Sequence, residues 1–310
     1  MNQGQGHPDA AGGAGAICFV TAVSTLDAAR HARLAIESLR AHGGTLSACP
    51  AWVIVRDSTG RDLAAVERTC AGLEGVEVLS LAGAVDAAPY PFRDKVQACA
   101  QAEAMAGPAA RSLVWLSPSC LIVRSPALFD LAAPLGATFR TVHHRNIGSP
   151  ANEPLDAFWA AVYQAIELES APYTVESFAD GCEIRPYFNT HCFAVDPARG
   201  LCRTWADRFE ALVADRAFQE GPCRDPLHRV FLHQAVLSTL LAKELGRQEL
   251  RLLPAEYSYP LHMHDQLPPE RRARALNDLV CAAYEEAIPM DGIVIEEPLR
   301  SWLEARVADM

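Results

Sequence analysis

The chain has 310 residues, half of them hydrophobic, which is enough apolar material for one large α/β core or two modest ones. Its formal net charge is −11 and its pI is near 5.4, so it has no broad positive field to attract nucleic acid or an anionic membrane. A small anion held by a few local cations remains compatible with this charge.

Ten cysteines are spread along the chain without a CxxC pair, which favours buried reduced thiols over a disulfide framework. The first fifteen residues are polar and glycine-rich, and the apolar run at 16–23 is too short to cross a bilayer or to form a signal core. We therefore expect a disordered tail over 1–15 and a cytoplasmic protein that binds neither membrane nor nucleic acid. Its oligomeric state is left open.

The first half alternates apolar runs with amphipathic segments, a pattern typical of a parallel sheet with helices on its faces. The predicted elements are strand 16–23, a helix that Ser24, Thr25 or Asp27 could cap and that ends near 41, strand 51–55, helix 62–73, strand 76–81, helix 91–106 and strand 112–116. This alternation indicates a nucleotide-binding type of α/β fold.

The second half is less regular. Its predicted elements are strand 137–142, helix 155–168, a short strand ending at 195, helices 201–215 and 228–245, a strand and extended Pro-rich segment over 251–269, and a region over about 270–308 that alternates helix and one short strand, GIVIEE. Because there is no internal repeat and no long linker, we expect a single compact domain over 16–310.

Five segments, in this order, resemble the GT-A nucleotide-diphospho-sugar glycosyltransferases. They are PFRDKVQACAQAE, SLVWLSPSCLIVRSPALF, PYFNTHCFAVDP, FLHQAVLSTLL and LLPAEYSYPLH. The resemblance covers roughly 16–265 and implies a GT-A-like (Rossmann-like) mixed sheet flanked by helices. It also implies a nucleotide-binding half over 16–130, an acceptor or pocket half over 131–310, and transfer of a sugar from a nucleotide-diphosphate donor.

The chain departs from this family at the end of the fourth predicted strand, where the family's D-x-D holds a divalent ion on the donor diphosphate. Here the motif is replaced by Ser117-Pro118-Ser119. Because Mg²⁺ and Mn²⁺ prefer anionic oxygen ligands, we expect no such metal and a metal-independent reaction, with a bound divalent ion as the alternative. The leaving diphosphate must then be neutralised by protein cations or backbone N–H groups.

Nucleotide-binding residues are expected directly after the strands, since open parallel sheets bind ligands there. With the family positions, this assigns Thr21, Ala22, Asp57, Arg93, Lys95, Ser117 and Ser119 to the nucleotide. For Arg93 and Lys95 the alternative is a solvated helix end offset by Asp94, and for the residues after the first two strands it is a turn or a helix cap.

Pocket residues are expected in the second half, where most of the histidines lie. The assigned set is His143, His144, Arg145, Arg185, Asn189, Gln234, His262 and His264. Asn189 occupies the family's N-S-G turn and is followed by the bulkier Thr190 and His191, which indicates a changed acceptor pocket. The candidate catalytic residues are Asp180, Glu183 and His191, although a loop acid can also be simply solvated.

Two other functions stay open. His262 and His264 occupy alternate positions in YPLHMHD, so in an extended segment both rings would project from one face and could share a transition metal with Asp265 or His191. Alternatively, the missing D-x-D acids fit a non-catalytic or repurposed protein that keeps the fold and binds a nucleotide sugar or another small molecule.

Overall fold

A computed structural model describes residues 16–57, 62–83 and 89–308, and the predicted tail over 1–15 lies outside these ranges. The strands are β1 (Ile17–Val23), β2 (Ala51–Val55), β3 (Val76–Ser80), β4 (Ser112–Leu116), β5 (Cys120–Ile122), β6 (Ala137–Thr141), β7 (Val175–Glu176), β8 (Glu183–Ile184), β9 (Phe188–Val195), β10 (Leu250–Leu252), β11 (Tyr259–Pro260) and β12 (Cys281–Ala283). The α-helices are α1 (Leu26–His42), α2 (Asp62–Cys70), α3 (Arg93–Met105), α4 (Ala157–Ile166), α5 (Leu201–Ala214), α6 (Arg216–Glu220), α7 (Pro226–Glu244) and α8 (Leu299–Val307).

The central sheet has seven strands in the order β10-β6-β9-β4-β1-β2-β3. Strand β9 runs antiparallel to its neighbours β4 and β6, and the other adjacent pairs are parallel. The carboxyl ends of β1, β2, β4 and β6 therefore lie at the same edge of the sheet. This is the predicted mixed α/β sheet flanked by helices in one compact domain.

Apolar side chains from both faces of the sheet form two cores. One face packs against α3, α4, α5 and α7, with Trp159 and Trp205 among its largest buried side chains. The other face packs against α1 and α2. A third core joins α8 and the C-terminal segments to β5 and to Leu34 of α1. No helix in the described ranges is long and apolar enough to cross a membrane.

Two local features fix where helices α1 and α3 begin at the carboxyl edge of the sheet. The Thr25 hydroxyl caps α1 by accepting the N–H of Ala28 at 3.1 Å, as the cap signals of the sequence predict. Helix α3 begins after Phe92, whose backbone is left-handed at a φ of 59° and whose side chain is 47% exposed. This turn places the first residues of α3 beside the ends of β1 and β4.

The predicted strands of the first half agree with the structure to within one residue, but two predictions for the C-terminal region are wrong. The segment GIVIEE forms no strand. Its backbone makes only a single bridge, from Val294 to Ala275, while Ile293 and Ile295 are buried in the third core. The short C-terminal strand is β12, which pairs antiparallel with β5. The segment after β11 is a 3-10 helix over Leu261–Gln266 rather than extended, since the chain turns back to bury its flanking leucines.

Glu103, in the last turn of α3, ties this helix to the first turn of α5. Its fully buried carboxylate accepts the N–H groups of Cys202 and Arg203, each at 2.9 Å, and the Arg203 Nε at 3.1 Å. Helix α5 has no side-chain cap of its own after Gly200. Glu103 therefore satisfies backbone donors that a helix start leaves unpaired.

We predict that Glu103→Ala lowers the free energy of unfolding by about 1.5–3 kcal/mol, because it removes charged hydrogen bonds and leaves buried N–H groups unpaired. Urea unfolding followed by circular dichroism measures this change. The matched control is Glu220→Ala, which removes a 63% exposed carboxylate paired with Arg216 and should change stability by less than about 0.5 kcal/mol. Equal losses in the two variants would contradict this role.

Candidate functional site

A crevice of about 290 Å³ lies at the carboxyl ends of β1 and β4, where the first turn of α3 meets the sheet. Its wall is lined by Ala22, Val23, Ser24, Ala28, Tyr90, Phe92, Arg93, Asp94, Lys95, Trp115, Ser117 and Pro118. Four of the seven predicted nucleotide-binding residues, Ala22, Arg93, Lys95 and Ser117, are therefore together. This is the sheet edge at which open α/β folds bind ligands.

Lys95 places a buried ammonium group in the wall of this crevice. The residue is 8% exposed, and its Nζ donates a hydrogen bond to the Thr190 carbonyl of β9. The same atom lies 5.2 Å from the ring centroid of Trp115 and 5.8 Å from that of Phe92. Within the described ranges no carboxylate forms an ion pair with it. Burial lowers the pKa of Lys95 to about 8, so the group still carries its charge at pH 7.

Arg93 and Asp94 are paired elsewhere. The Arg93 Nε and Nη2 atoms each lie 2.9 Å from a carboxylate oxygen of Glu210, an acid of α5 far away in sequence. Asp94 accepts a hydrogen bond from Arg56 at 2.8 Å. Asp94 was expected to offset the charges of Arg93 and Lys95 if these form a solvated helix end. Instead, Arg93 pairs with Glu210 and Asp94 pairs with Arg56, and neither pair involves Lys95.

The remaining predicted nucleotide-binding residues are not in the crevice wall. The Thr21 side chain points to the α1 face of the sheet, and its buried hydroxyl has no hydrogen-bond partner among the described residues. Asp57 follows β2 without lining the crevice. Ser119 is joined to the neighbouring segment by its carbonyl, which accepts the Tyr284 N–H at 2.9 Å.

The residues at the end of β4 do not fit the divalent ion of D-x-D enzymes. Ser117 and Ser119 offer neutral hydroxyls, whereas Mg²⁺ and Mn²⁺ prefer carboxylates. Across the described part of the chain, no group of three or more His, Cys, Asp or Glu side chains is placed to hold a metal ion.

Three histidine rings form a cluster beside the crevice. The His143 and His191 ring centroids lie 5.5 Å apart, and His262 is 6.4 Å from His143 and 6.5 Å from His191. The His191 carbonyl accepts the Ser117 N–H at 2.7 Å, so the cluster is joined directly to the crevice wall. Burial lowers the pKa of His143 to about 3 and that of His191 well below its usual value, so both rings are neutral at pH 7.

The interpretation of His262 and His264 as a shared metal pair is wrong in its geometry. In the 3-10 helix the two rings diverge, because His264 Nδ1 lies 2.7 Å from the Tyr259 hydroxyl while His262 contacts the histidine cluster. The His262 Nε2 lies 3.6 Å from a carboxylate oxygen of Glu285.

The two predicted catalytic acids lie outside the crevice wall. Asp180 accepts the Arg145 N–H at 2.9 Å and the Ser177 hydroxyl, and its carboxylate lies 3.8 Å from His144 Nδ1. Burial opposes ionisation, but these hydrogen bonds lower the pKa of Asp180 below its usual value. Glu183 accepts a hydrogen bond from the Thr174 hydroxyl at 2.7 Å on the small β7–β8 sheet.

The other predicted pocket residues have mainly supporting contacts. Arg185 donates to the Ser149 hydroxyl at 2.7 Å and to the Glu153 carbonyl at 2.6 Å, so it holds that loop. Asn189 Oδ1 accepts the His191 N–H at 2.7 Å. Gln234 Nε2 lies 3.5 Å from the Thr190 hydroxyl, directly behind the carbonyl that Lys95 contacts.

Sequence reasoning missed the aromatic and imidazole groups that surround Lys95. Phe92 stacks on His233 at a centroid distance of 4.2 Å, and His233 Nε2 lies 3.2 Å from the Thr190 hydroxyl. Trp115 contributes the opposite ring. A usable signal was the position of His233 next to Gln234 in FLHQ, on a helix expected to face the site.

Residues 17–244 match the family model of the Rhodobacterales glycosyltransferase domain. The chain belongs to this glycosyltransferase family. No curated protein matches its sequence.

Solved glycosyltransferases share the fold at low identity. The galactosyltransferase LgtC, solved with donor and acceptor sugar analogues, matches with a TM-score of 0.51 and 13% identity over 94% of each chain. The bifunctional glycosyltransferase WbbM matches with a TM-score of 0.51 and 10% identity, over 95% of this chain and 52% of its own. GlyE of Streptococcus pneumoniae TIGR4 has a TM-score of 0.48 and 10% identity, and this chain covers 60% of its length. The family and the first two structures confirm the predicted GT-A fold.

The buried histidines predict a specific loss of stability in acid. Below a pH of about 6.5 the unfolded chain binds a proton at residue 143 that the folded chain refuses down to about pH 3. The free energy of unfolding should therefore decrease as the pH is lowered from about 6.5 towards about 3. We predict that His143→Gln reduces the slope by up to about 1.4 kcal/mol per pH unit.

Urea unfolding at several pH values between 4 and 7 measures the slope. The control is Phe139→Leu, which changes a buried side chain of β6 that binds no proton and should lower stability at every pH while keeping the wild-type slope. Parallel curves for the wild type and His143→Gln would show that the ring is not held neutral.

Proposed function

We propose that this protein transfers a sugar from a nucleotide-diphosphate donor without a divalent ion, with Lys95 supplying the charge that the metal supplies in D-x-D enzymes. The observation that carries this proposal is the buried ammonium in a crevice whose wall also contains Ser117. Membership of a glycosyltransferase family supports the reaction class. The nucleotide and the sugar stay unassigned.

Charge on the leaving group gives Lys95 its role. When the bond between the anomeric carbon and the diphosphate oxygen breaks, negative charge grows on the diphosphate. An ammonium fixed in a site of low dielectric stabilises this charge without having to reorganise. Nζ uses one of its three donors on the Thr190 carbonyl, which leaves donors for a ligand.

The groups next to Lys95 would have different roles toward the donor. The charge of Arg93 is already offset by Glu210, so its contribution to diphosphate binding is smaller than that of Lys95. His191 is the predicted catalytic residue joined to the crevice wall, and its lowered pKa makes it a weak base. We assign it a hydrogen-bonding role toward the ligand in its neutral form.

The predicted halves keep their roles in this proposal, with 16–130 binding the donor and 131–310 the acceptor. All ten cysteines are free thiols, which suits a reducing compartment and supports a cytoplasmic location.

A second candidate is a non-catalytic protein that binds a small molecule in the same crevice. The feature that favours it is the set of neutral side chains after β4, together with the engaged Arg93. Such a protein would bind a nucleotide sugar without transferring or hydrolysing it.

We predict that uridine or guanosine diphosphate sugars raise the melting temperature of the wild type in EDTA, and that Lys95→Met weakens their binding at least about tenfold. The reason is the loss of a charge-assisted hydrogen bond worth about 1.5–3 kcal/mol. A thermal-shift titration over a nucleotide-sugar panel provides the measurement.

The only other lysine gives a matched control. Lys243 pairs with Glu167 at 3.3 Å and donates to the Ile166 carbonyl, so Lys243→Met leaves the crevice unchanged and should bind like the wild type. Binding that requires Mn²⁺, or equal affinities for Lys95→Met and the wild type, would refute the proposal. Binding without transfer or hydrolysis would favour the non-catalytic candidate.

A further inference from the structure

A second cavity, of about 440 Å³, shares no wall residue with the crevice. It lies against β6, is open to solvent and is bordered by parts of the segments 255–259 and 270–279. Four arginines are in its wall, namely Arg140, Arg271, Arg272 and Arg274. We call it the arginine pocket.

Arg140 of β6 is a buried cation in the wall of this pocket, with two side-chain nitrogens that lack a hydrogen-bond partner among the described residues. The residue is 8% exposed, its Nη1 donates to the Leu253 carbonyl at 3.2 Å, and its guanidinium carbon lies 4.3 Å from the ring centroid of Phe178. Its Nε and Nη2 atoms are buried and have no hydrogen-bond partner among the described residues. Burial lowers the pKa of Arg140 to about 10, so the group remains charged at pH 7. A buried charge of this kind is unfavourable unless an anion pairs with it.

The two unpartnered atoms form the edge of the guanidinium that binds a carboxylate side-on. The protein itself uses this edge twice. Nε and Nη2 of Arg93 contact the two oxygens of Glu210, and the same atoms of Arg111 contact Asp130 at 2.6 and 2.9 Å. Arg140 has the same pair of donors, both buried in the wall, so a ligand reaches them when the neighbouring wall side chains move aside; no carboxylate in the described ranges forms an ion pair with Arg140.

The rest of the wall shapes the pocket around this edge. Arg271 is held by Glu176 at 2.6 Å, and Arg272 is held by the carbonyls of Leu267 and Asp265 at 2.7 and 2.6 Å. Arg274 is exposed and makes no hydrogen bond or ion pair among the described residues. The acids of the wall, Glu256, Glu270 and Asp278, are all exposed. The charge of Glu256 raises the pKa of Arg140 and so partly offsets the effect of burial, but Glu256 forms no ion pair with Arg140.

The arginine pocket is connected to the crevice that contains Lys95 through the cluster of His143, His191 and His262. Strand β6 runs parallel to β4, so Arg140 lies near the same edge of the sheet. Phe178, which lies under Arg140, contacts the His143 ring at 6.5 Å. His143 stacks on His191, whose carbonyl holds Ser117 of the crevice wall.

We propose that the arginine pocket binds the oxyanion of a small ligand, a carboxylate or a phosphate, through the Nε and Nη2 atoms of Arg140. If the proposed function holds, this ligand is the sugar acceptor, which then carries an acidic group. A cavity of this size accommodates a monosaccharide.

Isothermal titration in EDTA without nucleotide tests the pocket directly. Glucuronate and glucose 6-phosphate provide the two oxyanions, inorganic phosphate provides the free anion, and glucose is the neutral reference. We expect the wild type to bind at least one of the acidic sugars about tenfold or more tightly than glucose, and Arg140→Gln to abolish the difference. Arg216→Gln, which changes an 86% exposed arginine on α6, should bind like the wild type.

Two further variants keep the test decisive if Arg140→Gln does not fold. Arg140→Lys keeps the charge but removes the side-on edge, and Arg274→Gln changes an exposed arginine of the wall. Weaker binding of the acidic sugars alone in either variant supports the proposal, and unchanged binding in both overturns it. Equal wild-type affinities for glucuronate, glucose 6-phosphate and glucose also overturn it. Inorganic phosphate that binds as tightly as the sugar phosphate overturns the acceptor assignment. Because no nucleotide is present, failure of the Lys95 proposal leaves these results unaffected.

Discussion

A charged ammonium group that is buried without a carboxylate partner among the described residues is the constraint around which the candidate site is built. Lys95 reaches its position because the left-handed turn at Phe92 starts α3 beside the sheet, and because β9 brings the Thr190 carbonyl to it. Trp115 on β4 supplies an aromatic face. The position of Lys95 therefore depends on both the mixed sheet and the start of α3.

The surroundings of Lys95 keep its charge effective. The neighbouring rings of His143 and His191 are neutral at pH 7, and Arg93 is paired with Glu210. Of the charged residues that line the crevice, Arg93 and Asp94 are in ion pairs with Glu210 and Arg56, and Lys95 forms no ion pair with a described carboxylate, so an entering anion meets its charge in a site of low dielectric. The arginine pocket places a second buried cation, Arg140, beyond the histidine cluster, which under our two proposals would give two separate anionic groups a partner each.

The sequence predicted the features that depend on local patterns and on family position. Alternating apolar runs and the Thr25 cap predict the strands and helices of the first half, and the position of Lys95 after a helix start predicts its place in the site. Features that depend on distant partners were not predictable. The pairing of Arg93 with Glu210 joins two helices far apart in sequence, and Arg140 lies within ATFRTV, which looks like an ordinary buried strand. The turn after Pro260 depends on the burial of Leu261 and Leu267 in the third core.

The charge state of Lys95 offers the most direct measurement of the central claim, because the chain has only one other lysine to give a signal. Carbon-13 NMR of protein labelled at the lysine Cε follows the titration of both residues, in EDTA, with and without a saturating nucleoside diphosphate. The account predicts that Lys95 titrates near pH 8 in the free protein and at distinctly higher pH with the diphosphate bound, while Lys243 is unchanged. A Lys95 titration that the bound diphosphate leaves unmoved would contradict the account.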